Sequence, residues 1–231
     1  MVIKMKGSKS FLAAMLLTIV GGYLDAYTYF VRGGVFANAQ TGNIIKLGIA
    51  IANHNNEKIM YYLMPIMAFV IGILTALIIE KIFLSKKIRY IRRVVLLVEI
   101  SVMMIVSFLP QSENTNIVAN ILVSYLCAMQ MEAFKSFVGQ SFATTVSTGN
   151  LRKMVEFLFL ALIQHDKTHC KTAFQYGVIV ALFIFGVVSG TYLSERLLIR
   201  SILIPAGLLV LVHVIITIYY KKLTQNERKA V

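Results

Sequence analysis

Long apolar runs alternate with short polar clusters along the whole chain, and the runs are too long for strands and fit helices. Six of them, approximately 10 to 31, 59 to 83, 92 to 110, 115 to 138, 173 to 195 and 201 to 220, are long enough to cross a hydrocarbon core. A core of about 30 Å takes roughly 20 helical residues. Segments 35 to 53 and 148 to 164 are weaker. Each opens on the small polar run Thr-Gly-Asn and continues as a short apolar helix, so both read as short or re-entrant helices.

The polar interruptions recur. Residues 22 to 47 and 129 to 154 align without gaps at a constant offset of 107, with seven identities in 26 positions. Thr41-Gly42-Asn43 falls on Thr148-Gly149-Asn150, and Asp25 falls on Glu132 with its charge kept. Chance would give about one or two identities, so the chain is read as a duplication. Further matches extend it: Glu80-Lys81 ends the second run as Glu195-Arg196 ends the fifth, and Arg92 before the third matches Arg200 before the sixth. Three spans per half, an odd number, would place the second copy upside down in the membrane. The expected fold is therefore all-α: about six transmembrane helices in two inverted three-helix repeats, each with an added short helix. Repeat 1 covers about 10 to 110 and repeat 2 about 115 to 220 of a single membrane domain, 1 to 231. Past the short helix the offset grows to 115, and the polar stretch 164 to 171 reads as a cytoplasmic insertion.

Composition agrees with a membrane protein. At 58% hydrophobic and 14% charged, the chain is far from a soluble domain, where about a quarter of residues are charged. Its net charge of +13 would suggest nucleic acid in a soluble protein, but the basic residues cluster at the ends of apolar runs and read as topology signals. Six spans put Lys4, Lys6, Lys9, the 81 to 93 cluster and the C-terminal lysines on the cytoplasmic side. The 110 to 116 loop, with no basic residue, lies outside. Arg32, Lys58, Arg196 and Arg200 do not fit this scheme. The first run exceeds a signal-peptide core and reads as a retained span.

Asp25 and Glu132 lie deep in their helices, where an ionisable group is a functional candidate by default. They read as two equivalent sites. Each acid either couples a proton or cation to transport or ties its helix to the backbone N–H groups of the neighbouring short helix. In Thr41-Gly42-Asn43 and Thr148-Gly149-Asn150, Thr or Asn is expected to cap the short helix, and Gly to permit close approach or positive φ. Glu99 and His213 have no counterpart in the other repeat and are candidates for a relay. Gly72, Gly186 and Gly190 read as close-packing positions. Cys127 and Cys170 have neither the number nor the spacing of a disulfide framework or metal site, and no catalytic or cofactor motif is present. No enzyme, cofactor or metal is expected.

Gly21-Gly22-Tyr23-Leu24-Asp25-Ala26, Gly34-Val35-Phe36-Ala37-Asn38 and Thr41-Gly42-Asn43 together resemble the YoaK-like family of bacterial integral membrane proteins, a domain-of-unknown-function family. The likeness covers nearly the whole chain. It implies a multi-pass protein of the bacterial cytoplasmic (inner) membrane with no assigned activity. The second copy departs from the pattern at Glu132 and Met129. The expected function is a small secondary transporter or permease for a small molecule or ion, with Asp25, Glu132 and the two Thr-Gly-Asn elements lining the pathway and both termini cytoplasmic. The competing reading is a non-transporting scaffold, complex subunit or lipid-handling protein. Either way the lipid bilayer is the partner and nucleic acid is not.

Overall fold

The structure is a computed structural model that describes residues 8–82, 88–135 and 147–229. Lys4, Lys6, Lys86 and Lys87 lie outside the described residues, as does the side chain of Lys9. Among the described residues there is no strand. Helices α1 (Ser8–Val31), α2 (Gln40–Ala52), α3 (Asn56–Ile82), α4 (Ile88–Val106), α5 (Glu113–Ala133), α6 (Ser147–Gln164), α7 (Lys167–Leu197) and α8 (Leu203–Lys229) follow in order, with a 3-10 turn at Leu198–Ile202 before α8. Every expected run is helical, but the boundaries move. The fourth run ends as a helix at Ala133, and the sixth continues well past 220.

Three stretches are long and apolar enough to cross a membrane: Phe11–Val31, Asn56–Ile82 and Lys167–Gln225. The last holds 59 residues, about 88 Å if straight, nearly three hydrocarbon thicknesses. It breaks at Leu198, whose φ is 49°, and continues as α8. The shorter α4 and α5 fall outside this set because they carry charged and amide residues, among them Arg92, Glu99 and Gln130, all buried. Large apolar side chains such as Ile71, Leu74, Ile184, Phe185 and Val188 face outward on α3 and α7. An outward apolar surface of that kind suits lipid and not water, so the chain is a membrane protein.

Helix α1 forms the centre, with Ala13, Leu17, Val20, Tyr23, Leu24 and Tyr27 buried. The packing is reciprocal between the halves: α1 lies on α7 and α3 on α5, α2 lies on α3 and α6 on α7, and α1 lies on α8 and α4 on α5. Glycines permit the closest approaches. A Cβ on Gly186 would run into the Ile19 carbonyl, one on Gly190 into Tyr23 and Ala26, and one on Gly72 into the Tyr125 carbonyl and Ala128. The order of these contacts fixes direction. Helix α7 runs parallel to α1 and α3 runs parallel to α5, which Glu80 meeting Lys135 further along also requires. In contrast, Asn120 of α5 binds the Arg32 carbonyl while Cys127, farther along α5, faces Asp25, nearer the start of α1. So α1 and α5, the corresponding helices of the two halves, pass in opposite directions.

The growth in offset is not a loop insertion. His54-Asn55 and His165-Asp166 form the same turn in each half, at an offset of 111. His54 has φ 52° and His165 has φ 50°. Asn55 Oδ1 accepts from the Lys58 amide at 3.1 Å, and Asp166 Oδ1 accepts from the Thr168 amide at 2.7 Å. The increments from 107 to 111 and from 111 to 115 fall within α6 and α7, which are longer than α2 and α3. Four residues are close to one helical turn, so each addition lengthens a helix and largely preserves its face. The expected cytoplasmic insertion is thus absorbed, and α7 begins at Lys167.

Candidate functional site

Asp25 holds a loop that folds back into the protein. After α1 ends at Val31, Gly33 and Gly34 take φ values of 84° and 82°, which glycine adopts without penalty, and reverse the chain. It descends to Asn38, whose Nδ2 donates to the Gly21 carbonyl at 3.1 Å, ten residues back along α1. From there α2 returns, and Asn55 beyond it lines a cavity with Gly33. At the bottom of the excursion Asp25 Oδ1 accepts from the Asn38 amide at 2.6 Å and the Ala39 amide at 3.4 Å. Asp25 Oδ2 and Asn38 Oδ1 are buried without a hydrogen-bond partner.

This geometry corrects the roles expected of Thr41, Gly42 and Asn43. The N-cap of α2 is Ala39, which has no side-chain cap. Free amides near this helix start are served by Asp25 of a different helix, so the motif need not cap itself. Thr41 is exposed. Gly42 does not have positive φ; a Cβ there would lie 2.7 Å from the Phe36 ring, so its smallness matters through packing. Asn43 is the buried member. Its Oδ1 accepts from the Phe36 amide at 2.9 Å, and its Nδ2 donates to the Phe36 carbonyl at 2.7 Å and to Gln40 Oε1 at 2.9 Å. Lys46 Nζ donates to the Gly34 carbonyl and lies 4.4 Å from the Tyr29 ring centroid, which closes the loop at its top.

The second copy is built differently. Glu132 Oε1 accepts from Lys135 Nζ at 2.6 Å, and Lys135 also bridges to Glu80 at 2.9 Å. All three charges line a small pocket with the buried Arg92. Asn150 is buried like Asn43, but Thr148 and Gly149 are exposed, and a Cβ on Gly149 would meet nothing within 4 Å. Gly149 also lacks positive φ, so neither reason expected for a glycine there holds. Residues 141 to 146, which correspond to the loop that Asp25 holds, lie outside the described residues.

Glu99 is completely buried on α4, and Gln130 Nε2 of α5 donates to both its oxygens, at 3.0 and 2.9 Å. The Cys127 thiol lies within electrostatic range of both Glu99 and Asp25. Together Asp25, Asn38, Cys127, Gln130 and Glu99 form a polar seam through the centre, which sequence spacing did not foretell. The relay candidates Glu99 and His213 share no hydrogen bond among the described residues, and His213 Nδ1 is buried without a partner on α8.

A family model described as "Protein of unknown function (DUF1275)" matches residues 13–215, which include both motif copies and the whole seam. The chain belongs to DUF1275. The resemblance read from the Gly21-to-Asn43 motifs is therefore correct. No curated protein and no solved structure matches it.

In this DUF1275 protein two fully buried arginines do work that sequence reasoning had not assigned. Arg32 presents five N–H donors, and each has an acceptor: Tyr27 Oη, the Pro110 carbonyl, Asn116 Oδ1, and the carbonyls of Val106 and Leu109, at 2.8 to 3.3 Å. Its own carbonyl accepts from Tyr61 Oη and Asn120 Nδ2. Arg32 thereby closes the C-terminus of α4, where carbonyls and the helix dipole favour a cation. It failed the basic-residue topology scheme because it is a structural cation and not a solvent-facing one. Arg92 does the same for α5, donating to the Ala133 carbonyl at 2.8 Å and to Tyr220 Oη at 3.1 Å. An arginine directly before Gly33-Gly34 was the available signal for the first; nothing local marked the second.

Proposed function

We propose that this DUF1275 protein is a small secondary transporter or permease of the bacterial cytoplasmic membrane. Its pathway lies between two inverted halves of three spans each, its termini are cytoplasmic, and it has no enzymatic activity. The opposite directions of α1 and α5 support the inverted arrangement, as do the reciprocal pairing of α1 with α7 and α3 with α5 and the return of α2 toward the end from which α1 left. Among the described residues neither Asp25 nor Glu99 has an ion-pair partner, and uncompensated ionisable groups at membrane depth are the natural carriers of a coupling proton or cation.

The observation that carries the reading is Asp25 itself. One oxygen holds the tip of the returning loop and the other is buried and unused. A carboxylate accepts from amides more strongly than a neutral acid does, so loading a proton on Asp25 would loosen Asn38 and Ala39. Ion binding would thus be tied to loop movement. A polar cavity of about 440 Å³, lined by Gly33, Glu57, Lys58, Tyr61, Glu113 and Asn116, lies where the loop leaves α1 and would serve as its vestibule.

Reconstituted vesicles test this, loaded with whichever metabolites stabilise the purified protein in a thermal-shift screen. Asp25→Asn should retain the fold, because one oxygen still accepts, and should lose pH-dependent uptake. Uptake with unchanged pH dependence would remove Asp25 from coupling. The second reading, a non-transporting scaffold or complex subunit, draws on the same bonds: holding Asn38 and Ala39 is already a structural task for Asp25. In that case no metabolite is moved, and Asp25→Asn changes stability alone.

A further inference from the structure

Four buried oxygens around the Asp25 loop have no hydrogen-bond partner: Asp25 Oδ2, Asn38 Oδ1, Asn120 Oδ1 and Ser124 Oγ. Their residues are at most 4% exposed. Both asparagines have a fixed orientation, because Nδ2 donates to the Gly21 carbonyl at 3.1 Å in Asn38 and to the Arg32 carbonyl at 2.8 Å in Asn120. Each therefore presents Oδ1 as a free acceptor. Ser124 comes four residues after Asn120, which meets Arg32, and three before Cys127, which meets Asp25 and Asn38. That spacing puts all three on the α5 face turned to α1 and the loop tip, with Ser124 about 4.5 Å along the axis from the level of Asp25. The Thr18, Thr28 and Ser101 hydroxyls donate to the carbonyl four residues back, whereas the Ser124 hydroxyl leaves its own helix backbone unused.

We infer that Asp25 Oδ2, Asn38 Oδ1 and the Ser124 hydroxyl oxygen form a site for one Na⁺ ion, at the tip of the returning loop. This deepens the transport reading and rests on it for what the ion is used for. The donors select the occupant. All are hard oxygens, which suit a hard cation, and the neighbouring Cys127 thiol is the kind of group that soft metals take instead. The set carries one negative charge, and Asp25 has no ion-pair partner among the described residues. Arg32 lies seven residues along the chain, about 10 Å away, with all its donors in use. Glu99 has both its oxygens bonded to Gln130 and is not a ligand. A monovalent ion cancels the Asp25 charge, whereas a divalent one would leave a buried charge unpaired. A proton on Oδ2 would reach only one further oxygen, while a metal ion binds several at once. The tip is tightly drawn, with the Asn38 amide 2.6 Å from Asp25 Oδ1, which suits Na⁺ over the larger K⁺.

Purified full-length protein in detergent is melted in NaCl, KCl or choline chloride at one ionic strength and one pH, and binding of radioactive sodium is counted by equilibrium dialysis. Na⁺ should raise the melting temperature saturably where K⁺ and choline do not, and a single Na⁺ should bind per chain. Asp25→Asn should abolish the binding. Ser124→Ala is the sharper variant. Removing a hydroxyl without a protein partner should leave the melting temperature in choline unchanged or higher, yet weaken Na⁺ binding about tenfold, the scale of one polar contact to a charge. Ser101→Ala, whose hydroxyl is bonded to the Leu97 carbonyl, should bind Na⁺ like the natural chain. Equal melting in all three salts would overturn the site, and a loss of pH-dependent uptake in Asp25→Asn would then leave a proton as the coupled ion. Equal effects of K⁺ and Na⁺ would overturn the choice of ion, and full Na⁺ affinity in Ser124→Ala would overturn its placement against α5. Na⁺ binding by a protein that moves no metabolite would uphold the site and remove the transport reading.

Discussion

In the first half of the chain the repeated acid, Asp25, is 4% exposed and bonded to backbone amides; in the second half its counterpart Glu132 has a side chain 17% exposed and an ammonium partner. The helices around them pair in the same pattern, but among the described residues the two acids have different partners. A charge at Asp25 is stabilised by fixed dipoles of the loop it holds, whereas Glu132 pairs with a part-exposed ammonium, of the kind that contributes little to stability. The first half also has Arg32-Gly33-Gly34 where the second has Gly139-Gln140-Ser141. Among the described residues, Asp25 is fastened to a loop within the protein and Glu132 to a part-exposed ammonium.

The sharpest way to break this contrast is to remove the anchors. Arg32→Met should lower the unfolding free energy in detergent by about 3–5 kcal/mol, since the carbonyls it serves stay buried without a donor. Lys135→Met should cost no more than about 1 kcal/mol. Similar losses for the two would mean the halves are fastened alike. Next, Asp25→Ala leaves two amides without their acceptor, at about 1–3 kcal/mol each, while Glu132→Ala stays within about 1 kcal/mol. Chemical denaturation of both variants decides it, and an equally stable Asp25→Ala protein would refute the anchoring role.

The glycines give a smaller contrast. Gly42→Val pushes into the Phe36 ring and should cost about 1–3 kcal/mol as overpacking. Gly149→Val meets open space and should change stability by about 0.5 kcal/mol or less, the scale of helix propensity. Parallel melts suffice. The smallest effect is one of pH. The hydrogen bond to Glu132, with Glu80 adding to it, raises the Lys135 ammonium above its ordinary 10.5. A raised folded value means the stabilisation is fully present below about pH 10.5 and is lost as pH climbs through the folded value. The melting difference between the natural chain and Glu132→Gln should therefore shrink only above that pH. A difference that stays constant into strong alkali would show that the pair does not act through charge.

Much of the architecture could be read along the chain because length and apolarity decide membrane helices locally. All six long runs and both short ones are helices, and the small-residue reading of Gly72, Gly186 and Gly190 holds at backbone contacts. The repeated motif was legible in Thr41-Gly42-Asn43 and Thr148-Gly149-Asn150. The repeated His-Asx turn was equally present and was missed, because its offset of 111 differs from that of the motif. The site was less legible. Asp25 was marked by its depth, its counterpart Glu132 and the motif around it, and its link to the neighbouring short helix was expected, but the bonds fall on Asn38 and Ala39, just before the motif.

What the sequence determined by itself is the helical membrane class and the two buried acids Asp25 and Glu99, since both follow from transfer free energy and depth in an apolar run. The tertiary structure decided which partner each charge has. Gln130 lies 31 residues from Glu99, the Pro110 carbonyl 78 from Arg32, and Tyr220 128 from Arg92. Hydrogen bonds are short and directional, so assigning them requires the helices to be in place first.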